Sequence, residues 1–284
     1  MYAATDSPSP PLMQKRLVRR HSFIVRLTHW INLLCFVFLL PSGLQIFNAY
    51  PQLHFGAYGA DTDPALVSVG AEQRADGLRG YLRIGAVKIP TTGLLGISSD
   101  AGAETARAFP AWLTLPSYLD LAAGRRWHLF FAWLLVVNGT VYLAHGLYSG
   151  HFRRDLLLSW EQMKLRHLWQ QLRDHACLHF PKGEEARRYN ALQKMTYLLV
   201  VLLLLPLMVC TGLTMSPGMD AALPLLLDCF GGRASARTLH FIAAMLLVLF
   251  VAVHVTMVAA SGPWNNLRSM LSGRYAIRTA EDAS

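Results

Sequence analysis

The sequence predicts an all-α membrane protein of four transmembrane helices, with a long extracytoplasmic loop between helices 1 and 2. Charged residues make up 15% of the chain and hydrophobic ones 53%, whereas an average soluble domain is roughly 25% charged. The apolar residues gather in four windows, 27–47, 127–148, 196–215 and 239–260, none of which contains Lys, Arg, Asp or Glu. Each can cross about 30 Å of hydrocarbon as a helix, the form that pairs backbone polar groups within one segment. The third observation is where the charge sits. The chain before the first window, between the second and third, and after the fourth holds 17 Lys and Arg against 8 acidic residues, while the other two connections hold 9 of each. All of the net charge of +9 therefore lies on one side of the membrane. The positive-inside rule makes that side cytoplasmic, with both termini inside a bacterial cytoplasmic (inner) membrane. A basic soluble chain would raise the question of nucleic acid; charge confined to the connections of lipid-spanning helices excludes it here.

Residues 1–22 turn basic at Lys15-Arg16 and Arg19-Arg20 and read as a cytoplasmic tail. The first window is expected to be retained, because its apolar stretch is long and lacks a small-x-small cleavage pattern. Residues 48–126 form an extracytoplasmic insertion, longer than ordinary connections and so expected to serve as a docking cap for a partner. Within it, Gly80 to Pro90 alternates like a strand and stops at proline, which predicts a small hairpin. Residues 149–194 are the cytoplasmic connection; in Asp155–His175, charges separate Leu156, Leu157, Trp160, Met163, Leu168 and Trp169, an amphipathic helix for the inner leaflet. Residues 218–230 are too short to span and are expected along the outer surface. Cys35 and Cys210 lie in windows, Cys177 inside and Cys229 outside, with no C-x-x-C pair, so no cysteine-held cofactor is expected.

Histidine placement carries the chemistry. His240 and His254 in the fourth window are 14 residues apart, which on a helix brings them within ~40° of one face and ~21 Å apart. One helix can thus serve two haems. Each iron needs a second imidazole at matching depth from another helix. The fourth helix runs outside to inside, so His240 is outer and His254 inner. His29, early on the first helix, is inner, and His128, early on the second, is outer. The pairs are therefore His29 with His254 and His128 with His240, holding two haems b. A lone membrane histidine is commonly a helix–helix hydrogen bonder; four at two matched depths point to haem.

Gly43 and Gly212 are expected to give a porphyrin room. Arg26, Arg125, Arg126 and Arg237 flank the windows near the proposed ligands, where each either anchors the helix at the interface or pairs with a haem propionate. His145 stands 17 residues after His128, ~100° away on the helix, and is expected to hydrogen-bond at the inner surface or relay protons. His54 lies just beyond the first helix and is expected on the partner face.

These residues resemble the prokaryotic cytochrome b561-like family, which includes the gamma subunits of formate dehydrogenase and the b-type subunits of nickel-iron hydrogenase and thiosulfate reductase. Arg26-Leu-Thr-His29-Trp30 looks like its first-helix ligand motif, Arg126-Trp-His128 like its second, and His240…His254 like its fourth. The likeness extends across all four helices and implies a di-haem four-helix bundle with these four ligands and with Arg26 and Arg126 beside the haems. Arg188-Tyr-Asn190-Ala-Leu-Gln193-Lys194 is similar to the approach to the third helix in the formate dehydrogenase gamma subunits. That similarity implies that Asn190 and Gln193 contact a quinone beside the inner haem; from the residues alone, Asn190 equally suits a helix cap. The long outer connection departs from the gamma-subunit pattern. Pro51-Gln-Leu-His54-Phe-Gly56, Trp112-Leu-Thr-Leu-Pro116 and Ser149-Gly-His151-Phe-Arg153 look more like a subgroup accompanying molybdopterin oxidoreductases of the sulfite-oxidase type.

The expected function is electron transfer between quinone or quinol in the bilayer and an extracytoplasmic redox protein. Two alternatives stand beside it. One is a self-sufficient superoxide:quinone oxidoreductase, which would carry a basic funnel above the outer haem. The other is a non-haem membrane anchor or transporter whose histidines relay protons.

Overall fold

The computed structural model describes residues 13–57, 59, 64–75, 77–100, 103–150, 152, 164, 166, 169–171, 173 and 191–280. Most of the Asp155–His175 stretch, and Asn190, lie outside them. The chain is mostly helical, and four of its helices are long and apolar enough to cross a membrane. The first is α1 (Phe23–Phe47) and the second α2 (Leu121–Tyr148). The third is composite: α3 (Ala191–Leu199), a π-helical turn (Val200–Leu204) and α4 (Leu205–Thr214). Two short helices, α5 (Pro217–Ala222) and α6 (Pro224–Cys229), lead to α7 (Arg233–Ala260), the fourth spanning helix, and α8 (Pro263–Ser272) follows it.

Each spanning helix starts a turn or more before its apolar window. The added residues include Arg26, Arg125, Arg126, Lys194, Arg233 and Arg237. Long cationic side chains can lie along a helix and carry their charge to the interface, so a hydropathy window ends where the backbone helix does not. The π turn precedes Pro206, which has no N–H to donate and whose ring crowds the preceding turn; widening the turn relieves both. Val37, Phe130, Leu202 and Leu249 are all more than half exposed, an outward face suited to lipid.

The chain forms two compact units. The larger comprises Thr28–Leu143 and Leu199–Phe250. In it Phe38 of α1 stacks on Phe131 and Trp127 of α2, with centroids 4.1 and 5.5 Å apart. Buried Asn138 of α2 donates to Thr28 O (2.9 Å) and Asn32 Oδ1 (2.7 Å) of α1. The insertion between these helices holds an antiparallel sheet in the order β2 (Gln52–Leu53), β3 (Val67–Arg74), β4 (Gly77–Ile84), β5 (Val87–Pro90). A separate hairpin pairs β6 (Ile97–Asp100) with β7 (Ala103–Ala106). The strand pattern read at Gly80–Pro90 is the β4–β5 hairpin, turning at Gly85 with φ +56°, a conformation glycine adopts without strain.

The insertion is fastened to α1 by a buried polar knot. Arg107, 4% exposed, donates to Gln45 Oε1 (3.1 Å), Thr114 Oγ1 (2.8 Å) and Ser117 O (2.7 Å). Gln45 Nε2 donates to Tyr118 O (2.8 Å), and Asn48 exchanges hydrogen bonds with the backbone of Phe109. An apolar core of Phe47, Leu53, Val69 and Ala108, with Phe241 of α7 against it, completes the junction. Only a buried cation with its acceptors supplied avoids a large desolvation penalty.

The smaller unit gathers the segments up to Leu27, from Ala144 to Leu198, and from Val251 onward. The basic lead-in to α1 is not simply a tail. Its residues Met13–Arg19 (β1) pair antiparallel with Arg274–Ala280 (β8), with Met13 opposite Ala280 and Arg19 opposite Arg274. Asn265 of α8 ties this ribbon through both backbone groups of Ala276, at 2.9 and 3.0 Å. His145 meets Ser22 Oγ at 3.3 Å, a part-buried hydrogen bond between the lead-in to α1 and the end of α2.

Replacing Arg107 with Met should strand three acceptors and destabilise the insertion by about 2–4 kcal/mol, read as faster proteolysis of residues 48–120 than of the helices. Glu72 gives a pH prediction. Hydrogen bonds from Lys88 and then Arg74 hold its carboxyl below the usual range. A depressed carboxylate favours the fold above its unfolded pKa and loses that contribution as pH falls through the folded value. Amide protection factors in β5, corrected for intrinsic exchange, should therefore fall as the pH drops below the ordinary carboxylate range, and Glu72→Gln should abolish that fall.

Candidate functional site

His128 sits in the second turn of α2, against α1. Its Nδ1 lies 3.2 Å from Ser42 Oγ and 3.2 Å from Leu39 O. The Ser42 hydroxyl donates its own hydrogen to Phe38 O at 2.6 Å, so toward His128 it accepts. Both neighbours of Nδ1 are thus acceptors, which assigns the proton to Nδ1 and the free lone pair to Nε2. His240, in the second turn of α7, repeats the arrangement against α4. Its Nδ1 is 2.9 Å from Thr211 Oγ1, and Thr211 donates to Leu207 O at 2.6 Å. The second imidazole is left with its lone pair on Nε2 as well.

Each ring also packs against the glycine that follows its hydroxyl partner. A Cβ on Gly43 would come 3.2 Å from His128 Cε1, and one on Gly212 would come 3.5 Å from His240 Cε1. The two glycines were expected to face a porphyrin; the structure sets them under the imidazoles. Ser42-Gly43 and Thr211-Gly212 are therefore one device used twice: a hydroxyl that fixes the tautomer and a glycine that lets the ring settle.

The two rings face one another with centroids 6.2 Å apart and planes inclined at 63°. Metal–imidazole bonds are about 2 Å long and each donor nitrogen lies about 1.1 Å from its ring centre, so collinear ligation of one metal needs centroids about 6 Å apart. The spacing and the donor set fit an iron porphyrin held by two neutral imidazoles. Hydrogen bonds to Nδ1 are also what orients a ligating imidazole and sets its basicity.

His29 stands on α1 in the larger unit, edge-on to Trp30 at 5.6 Å. The Asn138 clasp to Thr28 and Asn32 brackets it. His254 lies half-buried on α7, in the part of that helix that belongs to the smaller unit. Arg26 donates to the Leu271 carbonyl, which ties the start of α1 to the end of α8. Arg126 is exposed in the first turns of α2, and Gln193 is exposed in the first turn of α3. His54 is not on an open face but buried at 3% exposure.

Sequence reading missed Ser42, Thr211, Asn32 and Asn138. The available signal was a hydroxyl residue followed by glycine inside an otherwise apolar window, once in the first helix and once in the third.

Four lipid-spanning helices that bring two imidazoles to bis-ligand spacing define a polytopic helical membrane protein with a site suited to a metal-centred cofactor. The family model described as prokaryotic cytochrome b561 matches residues 20–273, and the chain belongs to that family. It is a multi-pass membrane b-type cytochrome of the electron-transfer kind, from a family that binds haem b. It is similar to the putative protein-methionine-sulfoxide reductase subunit YedZ1 of Azospira oryzae, with 27% identity over 251 residues covering 87% of this chain and 93% of that protein. No solved structure matches it significantly.

The unequal clearances make a prediction. Gly43→Ala should displace the His128 ring and lower Soret absorbance per protein, whereas Gly212→Ala, at ordinary contact distance, should leave it near the wild-type value. Equal effects of the two substitutions would contradict the geometry.

Proposed function

We propose that the chain is the haem-bearing membrane subunit of a two-component oxidoreductase, carrying electrons between the quinone pool and a redox protein outside the cytoplasm. His128 with His240 hold an outer haem b and His29 with His254 an inner one. Haem so ligated supplies a one-electron relay of low-spin iron. The 6.2 Å spacing of His128 and His240, with both Nδ1 atoms committed to acceptors, carries the outer assignment. The inner assignment rests on the 14-residue interval on α7 and the depth of His29.

The chain's own groups have definable tasks. Ser42, Leu39 and Thr211 hold the outer imidazoles in the ligating tautomer. Arg126 and Arg26 stand near the helix starts, where a haem carboxylate would meet a cation. Asn190 and Gln193 donate hydrogen bonds to a quinone carbonyl at the cytoplasmic end of the third helix, where protons for quinone chemistry are at hand. The likeness to the Azospira relative, a putative protein-methionine-sulfoxide reductase subunit, supports a catalytic reductase as the outer partner and electrons flowing outward from quinol. A molybdopterin oxidoreductase of the sulfite-oxidase type is the expected class of that partner.

Pyridine haemochrome assays should give two haems b per chain, falling to one in His128→Ala or His240→Ala and separately to one in His29→Ala or His254→Ala. A wild-type value well below two sinks the di-haem scheme. In a redox titration, a quinone analogue should shift the potential retained in His240→Ala and not that retained in His254→Ala. Gln193→Leu should remove that shift without changing haem content.

A further inference from the structure

A cavity of about 130 Å³ lies in the larger unit between the insertion and the start of α7, lined by Tyr50, Gln52, His54, Gly59, Arg233, Ala234 and Arg237. Arg237 is three residues before His240 and Arg233 seven before it, all on one helix. Successive offsets of about 100° put Arg233 within ~20° of the His240 face and Arg237 within ~60°. Two cations thus stand on the side of α7 that carries a proposed ligand, one and two turns toward the helix start.

The site is built rather than incidental. Arg237 donates to the Tyr50 carbonyl, and its guanidinium lies 4.9 Å from the Tyr50 ring centroid and 5.6 Å from that of Phe47. It is thereby held in place with further N–H donors to offer. His54 is 3% exposed, and its carbonyl accepts from Thr238 at 2.6 Å, which anchors its backbone to α7. Its Nε2 meets Tyr50 Oη at 3.2 Å, while its Nδ1 is buried with no partner among the described residues. A nearly buried imidazole nitrogen lacking a partner, at a cavity with two guanidinium groups, implies a missing group. No carboxylate is among the described residues that line it.

We propose that this cavity binds one carboxylate or similarly small oxyanion, with Arg237 as the principal cation and His54 Nδ1 and Arg233 as further donors. The volume corresponds to about four waters and suits a single carboxylate with its nearest carbons, not a quinone or a nucleotide. Such a carboxylate comes either from solvent or from a propionate of the outer haem; the second source rests on the haem assignment made above, and the first does not. Bidentate capture by guanidinium is the strongest hydrogen bonding these side chains offer.

The test uses the whole chain, as purified, in lipid nanodiscs. Acetate is titrated by calorimetry against chloride at fixed ionic strength, in wild type, Arg237→Gln and Arg237→Lys. In parallel, redox-difference infrared spectra are taken on protein loaded with haem carrying ¹³C-carboxylate propionates. Saturable acetate binding that weakens at least about tenfold in Arg237→Gln and recovers partly in Arg237→Lys supports the site with solvent as the source. Absence of acetate binding, with a propionate band that shifts in Arg237→Gln and returns toward wild type in Arg237→Lys, supports it with the haem as the source. Absence of both overturns the proposal, as does acetate binding that Arg237→Gln leaves unchanged. If the pyridine assay finds no haem, the cytochrome reading fails on that assay, and acetate calorimetry alone decides the site.

Discussion

A polar ring inside a lipid-spanning helix must be satisfied by other protein atoms, and here that requirement is met on one nitrogen only. Ser42 and the Leu39 carbonyl take up Nδ1 of His128, and Thr211 takes up Nδ1 of His240. Every other feature of the site follows from leaving the remaining nitrogen basic. The rings can stand edge-on with centroids 6.2 Å apart without repelling one another as cations, because each is held as the neutral tautomer. Glycine next to each hydroxyl lets the Nδ1–Cε1 edge of the ring come close to the neighbouring helix. The outcome is a pair of imidazoles whose orientation the protein fixes by itself, which would lower the ordering cost of binding a cofactor there.

The insertion is coupled to that pair through α1 and α7. Gln45 and Asn48, within two turns of Gly43, belong to the polar knot around Arg107, and Thr238, two residues before His240, donates its hydroxyl hydrogen to the His54 carbonyl of the insertion. The insertion therefore does more than fill the space between two helices. Tyr50, His54 and Gly56, on either side of β2, brace the start of α7, and Tyr50, Gln52, His54 and Gly59 line the cationic cavity beside it. A partner docking on this cap would approach the His128–His240 pair through elements already locked to it, a sound arrangement for electron transfer, which demands fixed distances and little reorganisation.

The helices were legible because lipid imposes a crude rule: a long apolar run without charge. The same rule misplaces their beginnings, since Arg125, Arg126, Arg233 and Arg237 lie in helical turns that hydropathy treats as loop. That His128 and His240 come together was readable from spacing and depth, and the Gly80–Pro90 strand signal from alternation and a terminal proline. What could not be read depends on distant pairing. Met13–Arg19 has a strand only because Arg274–Ala280 lies opposite, and Ser42 means nothing chemically until His128 arrives from another helix. His54 shows the complementary error: a histidine next to a helix end in a Gly-rich loop resembles a surface residue, yet the fold buries it.

The central claim is that one iron is gripped by His128 and His240 as neutral imidazoles with inclined planes. Electron paramagnetic resonance of the oxidised His254→Ala protein, which retains that site alone, examines it most directly. Ligation by two imidazoles whose planes stand 63° apart gives a low-spin ferric signal of the highly anisotropic kind. A high-spin signal, or a low-spin spectrum of the thiolate or methionine type, contradicts it.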